Sequence, residues 1–96
     1  MDLTEAGAED FNRLLNESFS INVNDVDKLT LTEVDSKPRV RDEGRQPFAL
    51  IFSCAGDTVL PQCIYRLEHE STGPLDIFLV PVAQEKDHVL YEAVFT

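Results

Sequence analysis

The stretch CIYRLEHE, residues 63–70, gathers Arg66, Glu68, His69 and Glu70, and a histidine among carboxylates is the raw material of general acid–base chemistry. To act as a catalytic base, His69 would need a nucleophile or a second acid, oriented by a third group. The residue pattern supplies no such set. Along an extended chain Arg66 and Glu68 share one side, two residues apart, and so read as an exposed ion pair. His69 falls on the opposite side, at the mouth of a hairpin. No catalytic residue is expected.

Metal chemistry fares no better. The chain has two Cys and two His. Cys54 and Cys63 are separated by a loop, and His69 and His88 belong to other strand ends, whereas zinc sites favour tight Cys-x-x-Cys or His-x-x-x-His spacing. No Gly-rich phosphate loop, nucleophile elbow or dinucleotide fingerprint occurs. No metal and no cofactor are expected. Cys54 and Cys63 could pair if 47–54 and 63–70 form a hairpin, but free, buried thiols are the expectation for a cytoplasmic chain.

A different chemistry is offered by Lys37, Arg39, Arg41 and Arg45, half of the 8 basic residues, in the polar stretch DSKPRVRDEGRQP, residues 35–47, which holds Pro38 and Pro47. A mobile loop over 35–46 is expected, either a solvated hairpin tip or a contact loop for an acidic partner or a neighbouring copy. The chain as a whole is acidic, with 18 Asp and Glu against 8 Lys and Arg and a formal net charge of −10. That charge works against nucleic acid and anionic membrane surfaces, and makes a basic protein the electrostatically easy partner. At 96 residues and 43% hydrophobic content, one domain over 1–96 is expected, with a core small enough that a partner would help complete it. MDLTEAGAED has neither a basic nor an apolar leader segment, and no apolar run approaches a bilayer span of ~20 residues, so cytoplasmic is the expected location.

The elements that carry these residues follow from periodicity. Ala8, Phe11, Leu14 and Leu15 recur at helical spacing behind Thr4 as N-cap, which predicts a helix over about 4–16, with Asn16 as a left-handed stop. Alternation then predicts strands over about 19–23, 28–34, 47–54, 63–70, 75–82 and 88–95. The fold class is α+β, mostly β: one N-terminal helix followed by an antiparallel meander of six short strands, forming a small barrel or a strongly twisted sheet. Pairing 47–54 with 63–70, with Cys54 opposite Cys63 and Phe52 opposite Tyr65, separates an apolar face from one carrying Ala49, Ile51, Ser53, Ile64, Arg66 and Glu68.

The strand 75–82 is apolar on both sides: Leu75, Ile77 and Leu79 against Phe78, Val80 and Val82. One side belongs to the core, and the other must meet the helix or another subunit. The interaction residues expected are accordingly Leu75, Ile77, Phe78, Leu79 and Val80, together with Lys37, Arg39, Arg41 and Arg45.

FALIFSC, LPQCIYRLEHESTGPLDIFLVPV and the closing YEAVFT, with LTEAGAEDF and ESFSI near the start, resemble a family of small bacterial and phage proteins. The likeness spans about two thirds of the chain. Cys63 stands where that pattern has Gly, and Thr96 where Asn is common, which speaks against a catalytic role for either. The family carries no assigned activity; its similarity to proteins encoded beside tail-fibre or collar genes implies an accessory or structural role. The functional expectation is thus a non-enzymatic structural or protein-interaction module of a phage-tail-like assembly, cytoplasmic or built into the particle. The partner is a protein or a second copy, with no nucleic acid and no membrane. The alternative is an acidic binding protein, an inhibitor or chaperone, that occupies a basic site on its partner.

Overall fold

Alternating burial runs through nearly every strand of the chain, and it dictates a closed sheet with one face turned inward. A computed structural model describes residues 1–23, 26–36 and 46–96. It has one short helix, α1 (Ala8–Asn12), and six strands: β1 (Ser18–Val23), β2 (Val26–Ser36), β3 (Phe48–Ala55), β4 (Cys63–His69), β5 (Gly73–Gln84) and β6 (His88–Phe95). The strands close into an antiparallel barrel in the order β1-β2-β3-β6-β5-β4. Two three-stranded meanders, β1-β2-β3 and β4-β5-β6, are joined by a crossover through residues 56–62, and β6 then pairs with β3 along its whole length. At the remaining seam, β1 meets β4 through a single pair, Ser20 with Glu68.

The expected pairing of 47–54 with 63–70 does not occur. Phe52 lies opposite Tyr91, Cys54 opposite Val89, and Cys63 opposite Leu79. The connecting segment, Gly56–Gln62, is longer than the two to five residues of an ordinary hairpin loop, so it crosses the barrel end instead. Phe48, Leu50, Phe52, Cys54, Tyr65 and Leu67 nevertheless all face inward. Side-chain alternation belongs to each strand by itself and survives a change of neighbour. Cys63, by contrast, is exposed at the start of β4, and both thiols are free.

The helix is shorter than the 4–16 expected. Gly7 precedes it in an extended conformation, the Asp10 carboxylate accepts a bond from the Gly7 N–H at 2.9 Å, and residues 13–16 run on as turns. Asn16, at φ 69°, reverses the chain into β1. What α1 contributes is Phe11, fully buried, with its ring 5.9 Å from both Phe48 and Phe95. Those two rings stack at 4.8 Å where β3 begins and β6 ends. This aromatic group plugs one end of the barrel. Leu60, from the crossover, is buried at the other.

The hairpin that carries His69 is tight. The Thr72 N–H donates to the His69 carbonyl at 3.1 Å, and Gly73 follows at φ 71°, a turn-plus-glycine arrangement that joins two twisted strands. Gly73 is needed for that backbone angle, since no heavy atom crowds its Cβ position.

Candidate functional site

His69 is the most interesting polar side chain in the chain, and its surroundings decide what it can do. Its Nε2 lies 2.6 Å from Glu17 Oε1, and its Nδ1 accepts a bond from the Ser71 backbone N–H at 3.0 Å. An accepting Nδ1 carries no proton, so the ring holds its proton on Nε2 and donates it to Glu17. Both nitrogens are thereby engaged, which leaves no lone pair to take a proton from a substrate. The ring also packs against Phe19, with centroids 5.0 Å apart, and its side chain is nearly buried. Geometrically it is a clasp between the turn before β1 and the end of β4. An open depression of about 750 Å³ lies beside it, lined by Glu17, Glu68, Glu70, Ser18, Ser20 and the turn at Gly73 and Pro74.

Arg66 does not pair with Glu68. Its partner stands opposite on β5: Arg66 Nε donates to Asp76 Oδ1 at 3.0 Å, and Nη2 to Oδ2 at 3.3 Å, both residues exposed. The forked contact holds the Asp76 carboxyl below its ordinary range, the hydrogen bonds being the main cause. Cross-strand neighbours outcompete the i, i+2 pair because directly opposed side chains are closer.

The two cysteines and two histidines are not brought together as a ligand set. Among the described residues, no group of three or more His, Cys, Asp or Glu side chains could hold a metal ion. Burial pushes the Cys54 thiol up, the reverse of what a reactive thiolate needs. Among the described residues, no helix is long and apolar enough to cross a membrane. Lys37, Arg39, Arg41 and Arg45 lie outside the described residues.

The apolar strand divides sharply. Leu75, Ile77 and Leu79 fill the barrel interior and are unavailable to a partner. Phe78 is 50% exposed, and Val80, on the same outer side, is half-buried. The helix does not cover them, because α1 packs against β2 and into the Phe48–Phe95 end. Ile64, 64% exposed, lies directly opposite Phe78 on β4. On β6, Val94, itself 57% exposed, stands two residues beyond Glu92, the partner of Val80 on β5. Val94 in turn faces Ala49 on β3. An exposed apolar row therefore crosses three strands on the outside of the barrel, Ile64 on β4, Phe78 on β5 and Val94 on β6, whereas Ala49 is itself buried. Single-strand alternation placed Ile64 and Phe78 outside, but the row itself, and the part of Val94 in it, depends on which strands are neighbours.

A small closed antiparallel barrel with exposed apolar side chains on its outer side is the class of protein these features define. The chain belongs to the family described as Domain of unknown function (DUF6916), whose profile matches residues 6–95. No curated protein and no solved structure matches it.

Proposed function

We propose that the chain is a non-enzymatic protein-interaction module that docks through the outer face of β4, β5 and β6, as an accessory component of a phage-tail-like assembly. The observation that carries the docking reading is the row Ile64–Phe78–Val94. Three large apolar side chains, each at least half exposed, stand on three neighbouring strands, with Ile64 and Phe78 directly opposite each other. Scattered surface apolar residues are ordinary, but a contiguous row on a folded sheet is characteristic of a contact surface. His69, with both ring nitrogens engaged, supports a non-catalytic reading of the polar end. The tail-assembly setting is supported by the likeness of the LPQ, YRLEHE, FLVPV and YEAVF segments to proteins encoded near tail genes.

A tagged copy expressed in its native host tests this by sedimentation. The chain is expected in a fraction heavier than its monomer, in or with assembled particles, and Phe78→Ser or Ile64→Ser is expected to return it to the monomer fraction while its melting temperature is kept. A wild-type chain found free and monomeric at every concentration would sink the proposal. The second reading, an acidic protein seated on a basic site, is favoured by the net charge of −10 and by one carboxylate inside the apolar face.

A further inference from the structure

That carboxylate is Glu92. It stands opposite Val80 on β5 and Ile51 on β3, with Leu90 and Val94 two residues away on either side along β6. Four apolar residues thus ring one acidic side chain, which is itself half-buried. Among the described residues, the Glu92 side chain makes no hydrogen bond and no ion pair. Among the described residues, Arg66 on β4 is already held by Asp76.

We infer that the occupant of this face is a segment of another protein that presents bulky apolar side chains around one Lys or Arg, and not a second copy of this chain. The inference rests on the docking reading above and specifies its partner. Any molecule that covers Ile64, Phe78 and Val94 also takes water away from Glu92. A carboxylate covered without a partner loses its hydration and gains nothing in exchange, so the covering surface must bring a donor, and a cation compensates the lost hydration best. A second copy cannot supply it by a two-fold contact centred here, because that symmetry sets Glu92 beside its own mate. Two chains of net charge −10 also repel on approach. A partner bearing Lys or Arg gains at both distances: it is attracted by the whole chain and meets a single, half-desolvated carboxylate at contact. Arg suits the position well, since its planar fork can pair with the carboxylate while its stem lies on the valines.

The full chain, immobilised and panned against a random peptide library, tests this. Enriched peptides are expected to carry one Lys or Arg between bulky apolar residues. Their affinity should fall on the order of 30-fold with Glu92→Gln, should be lost with Phe78→Ser, and should weaken as salt rises. Melting curves confirm that each variant is folded. Enriched peptides that lack a basic residue, or that bind Glu92→Gln as tightly as wild type, overturn the inference. So does sedimentation showing that the wild type self-associates through Phe78, although that result preserves the docking reading. Failure to enrich any peptide, together with a chain monomeric in its native host, overturns both.

Discussion

The Tyr91 hydroxyl accepts a hydrogen bond from the Leu60 backbone N–H at 2.9 Å, tying β6 to the crossover that joins the two halves of the barrel. Leu60 is fully buried in a segment without regular structure, so its N–H needs a partner that no strand provides. The next residue, Pro61, has no N–H to satisfy, and its carbonyl accepts the Tyr65 hydroxyl from β4. Two tyrosines on different strands thus hold two consecutive residues of the crossover. LPQ, YRLEHE and YEAVF thus meet at one corner of the barrel.

Tyr91→Phe should cost about 1–3 kcal/mol, because it strands a buried donor. Tyr65→Phe, at a partly exposed site, should cost only ~0.5–1.5 kcal/mol. Urea unfolding of both variants checks the order, and a larger loss for Tyr65→Phe would contradict the assignment.

Alkaline pH should weaken the fold. Burial is the main cause that pushes the Tyr91 phenol, the Tyr65 phenol and the Cys54 thiol above their ordinary values. For groups raised in the folded state, the stabilising contribution is complete below the unfolded value and is lost as pH rises through the folded one. Melting temperature should therefore hold steady up to about pH 9 and fall beyond the ordinary tyrosine value of 10.0. Tyr91→Phe should flatten that decline. A melting temperature that rises above pH 10 would be the opposite sign and would reject it.

Phe11→Ala should destabilise by about 3–5 kcal/mol, since it empties the aromatic plug between Phe48 and Phe95. The first residues should then become sensitive to protease while the strands still melt cooperatively. Phe95→Ala should cost less, because Phe95 is only partly buried.

The His69 ring should show the Nε2–H tautomer. Imidazole nitrogen chemical shifts would reveal it, and a proton on Nδ1 would contradict the Ser71 contact. Glu17→Gln keeps an oxygen acceptor and should be mild, whereas Glu17→Ala should cost about 0.5–1.5 kcal/mol.

One thiol should react quickly with a thiol reagent under native conditions, namely Cys63, and Cys54 only after unfolding. The two sit opposite Leu79 and Val89 and do not face each other, so mild oxidation should form no bridge within the chain. Two fast equivalents, or an oxidised monomer with an internal disulfide, would refute the register.

Much of this protein can be read one strand at a time. The period-2 pattern of FALIFSC, IYRLEH, LDIFLV and HVLYEAVF separates inward from outward side chains whatever each strand lies beside, because a pleated backbone alternates by itself. The apolar excess of 75–82 marked a strand with two faces to cover, and Asn16 marked a reversal that its φ of 69° makes explicit. The helix is shorter than its periodicity implies because Leu14 and Leu15 keep helical spacing beyond the point where the chain turns away toward β2.

By itself, then, the sequence determined the elements, their faces and the acidic, mostly β character of the chain. The tertiary structure alone decided neighbours. It moved β3 from β4 to β6, gave Arg66 the partner Asp76, and put Ile64, Phe78 and Val94 on three neighbouring strands, with Glu92 beside Val94. The physical reason is that alternation is a local property of one strand, whereas a surface row, an ion pair across strands and a hydroxyl reaching a crossover each require the register between segments far apart in the chain.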